Sequence, residues 1–341
     1  MIKEQIEIIK ESKLNPIAVI DSPYGMIRQD TATNALARIS SKTIAEIDQF
    51  MGTGLIRTSN GNTDVQVLIN EYANVQLKQS TSKLLRLVTM RFTEAGSKSP
   101  TVSISLNDAM DALGLKNKDK ARIAIKKDLE ALYNISLKVV KTHSSKKQDY
   151  LEFRICDTYH IGNGVASMNF SAPIFLHLQN CPLMPYPKEL LRIESNQQKN
   201  PYSFFIGDKL TELAKLNQFD RNSNAIKEHF ITDIKNLLSI CMANGMPTYE
   251  EVMATDRAVS RKIVEPLERD LDALENIFLW EYCHAKGVPL TDAEVEADIE
   301  YKEYTQRFIK IIMNENYPRE EWDKKKAEHK QKQTKRAKKV K

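Results

Sequence analysis

The chain has 341 residues, 41% hydrophobic and 28% charged, with a formal net charge of +5. That length predicts two compact units with connecting segments rather than one minimal module, and no apolar run approaches the roughly 18 residues of a membrane span. Residues 1–20 interleave charged and apolar side chains, unlike a signal peptide, and Cys156, Cys181, Cys241 and Cys283 form no CxxC pair, which fits free thiols in the cytoplasm rather than a disulfide framework or zinc knuckle.

The basic character is local. Residues 324–341 hold ten Lys/Arg and one acid, leaving 40 basic against 44 acidic residues elsewhere. A tail of that composition cannot bury enough apolar surface to order itself, and its functional reading is a sequence-independent contact with a polyanion such as DNA or RNA.

In chain order, residues 1–58 form an extension with no assigned role. An amphipathic helix is expected over Ser82–Ala95, closed by Gly96, then a short strand, Thr101–Ile104. Ser105 caps a helix through Leu113, with Asp108 in position to return the hydrogen bond. After the turn at Gly114 a longer helix runs from about Lys118 to Asn134. Ser136–Lys141 and Tyr150–Ile155 then alternate around a polar tip and read as a β-hairpin. His160-Ile-Gly-Asn-Gly is taken as a loop leading into a strand, Ala166–Ser171. The prolines of Asn180–Asn200 mark the expected boundary between units. Beyond it, helical patterns cover Asn200–Asn217 and Phe230–Met242, Thr248 starts a short helix, and a longer one ends near Asn276. Phe278–His284 and Arg307–Met313 are strand-like, flanking an acidic insert, Asp292–Glu303. Pro266 should split or kink the helix it lies in.

The sequence matches itself. Residues 126–137 and 268–279 are identical at seven of twelve positions, offset by 142. Upstream of each stands a Ser/Thr-x-x-Asp/Glu helix start, Ser105…Asp108 and Thr248…Glu251. A period of that size gives two related domains rather than a solenoid. The expected fold is therefore α+β, mainly helical, with two tandem winged helix-turn-helix domains, 59–185 and 186–318, followed by the basic tail 319–341.

Helical phase assigns the faces. Ala121, Ile125, Leu129 and Leu132 form one inward stripe, and Ile263, Leu267, Leu271 and Leu274 the other. Facing away are Lys116, Lys120, Ile123, Lys126 and Lys127, with Arg122 at the edge, and in the second copy Arg257, Ser260, Arg261 and Lys262. Acids follow in each helix: Asp128 and Glu130, then Glu268, Asp270, Asp272 and Glu275. A basic front opposes the helix dipole, yet it suits a helix whose first turns enter the major groove, where Arg and Lys reach guanine edges and phosphates. Lys146 and Lys147, at the hairpin tip, are the expected wing contacts. Phe92, Phe153, Phe170, Phe204, Phe205 and Phe278 are assigned to the core.

Enzymatic motifs are missing. No phosphate-binding G-x-x-x-x-G-K-[ST] occurs, and the histidines include no metal-binding pair at i+2 or i+4. Glu250-Glu251 and Glu320-Glu321 have no neighbouring third ligand. No catalytic residue, metal or cofactor is expected.

With these elements in place, STSKLLRLVTMRF, VSISLNDAMDALGL, KARIAIKKDLEALYNISL and NPYSFFIGDKLTELAKLN together resemble the iteron-binding replication initiators of plasmids and some phages, over residues 60–315. The resemblance implies that each domain's recognition helix binds a major groove of one DNA repeat and that the first domain also forms a homodimer. It further implies that the monomer promotes origin opening and contacts a host replicative helicase or its loader, while the dimer autorepresses. Pro266 departs from an uninterrupted second recognition helix. A transcriptional regulator or partition protein of a mobile element would use the same domains.

Overall fold

The computed structural model describes residues 23–28, 33, 54–57, 63–69, 78–142, 148–194, 199–217, 229–255, 257–297 and 299–313. Its strands and helices make an α+β chain in which every strand pair among these residues is antiparallel. The described elements begin with β1 (Tyr24–Arg28), β2 (Gly54–Arg57) and β3 (Thr63–Ile69), so parts of the stretch set aside as an extension belong to the fold. Next come α1 (Gln79–Glu94), β4 (Thr101–Ser105), α2 (Leu106–Leu113), α3 (Lys118–Tyr133), β5 (Ile135–Thr142), β6 (Gln148–Arg154), β7 (Cys156–Gly162), β8 (Val165–Phe170) and α4 (Ala172–Asn180). The proline-rich stretch forms β9 (Leu183–Pro187), followed by α5 (Glu189–Arg192). The second half holds α6 (Ser203–Asn217), β10 (His229–Asp233), α7 (Ile234–Ala243), α8 (Tyr249–Thr255), a π-helical turn at Ser260–Val264, α9 (Glu265–Asp272), β11 (Phe278–Cys283), α10 (Asp292–Val295), α11 (Tyr301–Tyr304) and β12 (Phe308–Met313).

The order of elements recurs in the two halves, but its correspondences differ from those the sequence suggests. Ser105 caps α2 by accepting from the Asp108 N–H at 3.0 Å. The element in the same place in the second copy is α7, capped by Asp233, whose Oδ1 accepts from the Asn236 N–H at 2.7 Å. Thr248 and Glu251 instead form a reciprocal cap on α8, a helix with no counterpart in the first copy. The expected helix over Phe230–Met242 opens as strand, because Phe230 and Thr232 are the buried members of β10's alternation and Asp233 stops that strand to start α7.

Sheet order carries the second correction. One three-stranded sheet runs β4-β8-β7 and the other β10-β12-β11. The hairpin matching β11–β12 is therefore β7–β8. Hairpin β5–β6 is an excursion between Ile135 and Ile155 that joins β2 and β3 in a four-stranded sheet, order β2-β3-β5-β6. The two ends meet where the Ile155 N–H donates to the Ile135 carbonyl at 3.4 Å. What reads locally as a loop at Gly162-Asn-Gly is a two-residue hairpin turn: Asn163 and Gly164 both have positive φ, 50° and 75°, between the paired residues Gly162 and Val165. Asn-Gly favours that turn because both central positions require a left-handed backbone.

Corresponding polar groups hold the two copies in the same way. Asp128 of α3 accepts from Thr81 Oγ1 at 2.7 Å and Ser80 Oγ at 3.0 Å, at the start of α1. Asp270 of α9 accepts from Ser203 Oγ at 2.8 Å and the Tyr202 N–H at 3.2 Å, at the start of α6. Each thus satisfies polar groups at a helix N-terminus, where a carboxylate also suits the dipole. This explains the self-match around Asp128 and Asp270. Both were expected on the outer acidic face; both are buried.

Between the copies the packing is continuous. One connected set of buried apolar side chains runs from Tyr24 through Ile311. Within the proline-rich stretch Met184, Pro185, Tyr186 and Pro187 are buried, and β9 pairs with β1, whose Ile27 is fully covered. At the join, Arg86 of α1 and Asp208 of α6 form a bidentate pair, Nε to Oδ1 at 2.7 Å and Nη2 to Oδ2 at 2.8 Å, with both side chains fully buried. Tyr186 Oη adds a hydrogen bond to Asp208 at 3.1 Å. Arg86 and Asp208 occupy equivalent positions, each five residues beyond the matching Thr81 and Ser203. In a symmetric pair of identical copies such a position would face itself and like charges would repel. Arginine on one side and aspartate on the other turn that repulsion into an ion pair.

Candidate nucleic-acid interface

The helix α2 ends at Gly114, whose φ of 66° is the left-handed conformation glycine accepts without strain. Four residues, 114–117, connect it to α3, the spacing of a helix-turn-helix. Asn117 starts α3 by accepting from the Lys120 N–H at 3.0 Å. Ala121, Ile125, Leu129 and Leu132 are at most 2% exposed, so the expected inward stripe holds. The opposite side presents Lys116, Lys120, Arg122, Lys126 and Lys127, all exposed. The structure adds Lys118 and Asp119 to that surface. Ile123 is 57% exposed among them.

The second front is built differently. Ile263, Leu267, Leu271 and Leu274 are buried as expected, while Arg257, Ser260, Arg261 and Lys262 are exposed. Arg257 takes a positive φ of 56° at the entry. Pro266 does not break the helix. It lies at its first α-helical turn, directly after the π-helical turn Ser260–Val264. A proline has no N–H to donate and its ring crowds the carbonyl four residues back; the wider π turn is one of the few ways a helix absorbs this. Ser260 Oγ donates to Glu265 Oε1 at 3.1 Å, so this serine is engaged within the helix start.

The acidic rear has structural duties. Besides the two buried aspartates, Glu268 accepts from Tyr282 Oη at 2.5 Å, and Asp272 accepts from Trp280 Nε1 at 2.9 Å. These bonds tie α9 to β11. Burial pushes the Asp270 carboxyl up to about 6, opposed by its bonds to Ser203 and Tyr202. A carboxyl raised in the folded state stabilises fully below its unfolded value near 4 and loses that contribution as pH rises through 6. The Asp270→Asn variant should therefore gain stability relative to the parent, on the order of 2 kcal/mol, between pH 4 and pH 7. Parallel urea titrations at the two pH values check this; a difference that ignores pH would show that Asp270 does not titrate in that range.

Lys146, Lys147, the tail 319–341 and most of residues 1–58 lie outside the described residues. The hairpin whose tip carries the two lysines belongs to the β2-β3-β5-β6 sheet, not to the sheet that begins at the strand before α2. In the sheet that contains β4 the hairpin is β7–β8. The Asn163-Gly164 dipeptide was the available signal. Of the six core phenylalanines, five are buried and Phe153 is half-buried against them.

No protein-family model and no curated protein matches the chain. Among solved structures, it is similar to a selenomethionine derivative of domains 2 and 3 of RctB, with a TM-score of 0.44 at 10% identity, covering 76% of this chain and 90% of that one. A second crystal structure of RctB domains 2 and 3 gives a TM-score of 0.42 at 11% identity, covering 77% and 91%. Among the described residues no helix is long and apolar enough to cross a membrane.

Proposed function

We propose that this protein is a replication initiator that binds repeated sequences in double-stranded origin DNA through two winged helix-turn-helix units and has no catalytic site of its own. The observation that carries the reading is the repeated placement of an exposed basic helix front, Lys116–Lys127 in one copy and Arg257–Lys262 in the other, on a shared helix–strand–helix–helix–hairpin order to which the first copy adds β5–β6 and the second adds α8, joined through a common core. Cations gathered at the first turns oppose the helix dipole, so local helix stability does not account for them; phosphates and guanine edges of a major groove do. The basic tail supplies a sequence-independent phosphate contact. Origin opening, contact with a host helicase or loader, and autorepression by a homodimer complete the reading through the resemblance to iteron-binding initiators.

Footprinting on DNA flanking the protein's own gene tests it. Tandem direct repeats should be protected, each over two major-groove segments about one helical turn apart. Protection of a single inverted repeat would make the protein a regulator instead, and absence of any footprint would end the DNA-binding reading.

A further inference from the structure

Resting on the DNA-binding reading, we propose that Ile123 reads the C5 methyl group of a thymine in the major groove. Ile123 is the one exposed apolar residue between Lys118 and Lys127 and is 57% open to solvent. It lies one turn beyond Lys120 and one turn before Lys126 and Lys127, with Arg122 beside it and Asp119 four residues back, so it occupies the centre of the charged face. Among the described residues no core packing favours it there. A β-branched side chain on an exposed helix face loses rotamer freedom without gaining packing, and water is a poor environment for its methyl groups. On a surface whose cations would hold phosphates and guanines, an apolar side chain at the centre has one matching group on a base edge, the thymine methyl. The second copy has Glu265 at the corresponding position, engaged by Ser260. The two helices therefore read different bases, and thymine sensitivity belongs to one half of the site.

The test uses the full chain and a duplex enriched by it from a randomised pool, resynthesised with deoxyuridine replacing each thymidine in turn. At one position, in one half of the site, the replacement should weaken parent binding about four-fold, the equivalent of the ~0.8 kcal/mol typical of one buried methyl-sized group. Ile123→Ala should lose a similar factor on the thymine duplex and be indifferent to that replacement. If no single replacement weakens the parent, or if Ile123→Ala retains the same uracil penalty, the assignment is overturned. Failure to enrich any duplex would bring down the DNA-binding reading itself, and the role of Ile123 with it.

Discussion

Replacing Arg86 by Met should destabilise the protein by about 3–5 kcal/mol, and Asp208→Leu should do the same, because each leaves a fully buried charge without its partner. The double variant Arg86→Met/Asp208→Leu should recover most of that loss. With both charges gone, the desolvation they imposed is gone too, and two apolar side chains of similar volume fill the join between α1 and α6. Urea unfolding followed by circular dichroism gives the four corners of the cycle, and the coupling between the two sites should be several kcal/mol. Tyr186, which donates to Asp208, stays in place throughout. Single variants that each cost under about 1 kcal/mol would mean that the pair does not hold the two copies together.

The second large effect is on binding. Lys120, Arg122 and Lys126 are exposed and make no side-chain hydrogen bond or ion pair among the described residues. Replacing all three by Ala should leave the melting temperature nearly unchanged, since alanine is at least as good a helix former. Affinity for repeat-bearing duplex should fall at least a hundred-fold, because a good bidentate base contact alone contributes about 1–3 kcal/mol of discrimination. If all three contact phosphates, the slope of log affinity against log salt should also shrink by roughly three. Fluorescence anisotropy at several salt concentrations reads both quantities; undiminished binding by the triple variant would remove α3 from the interface. Arg261 and Lys262 serve less well as probes, because both also interact within the protein.

The faces of the two helices were legible in the sequence. Inward and outward faces of α3 follow from a period of 3.6 residues, and both four-residue apolar stripes are buried as expected. The reading of acids failed for a physical reason. Residue type marks Asp128 and Asp270 as surface groups, and only the arrival of Ser80, Thr81, Tyr202 and Ser203 from distant helix starts makes their burial tolerable. Composition could not announce those partners.

By itself the sequence determined that the chain repeats, where its main helices turn their apolar sides, and that its cations gather at two helix beginnings, since each property depends on neighbours within a few residues or on direct self-comparison. Tertiary structure alone decided that β7–β8 rather than β5–β6 completes the first three-stranded sheet, that the proline-rich stretch is a buried strand, and that Arg86 meets Asp208. Those outcomes rest on pairings between segments far apart in the chain. A hairpin pattern specifies its own two strands but not the third strand it will join.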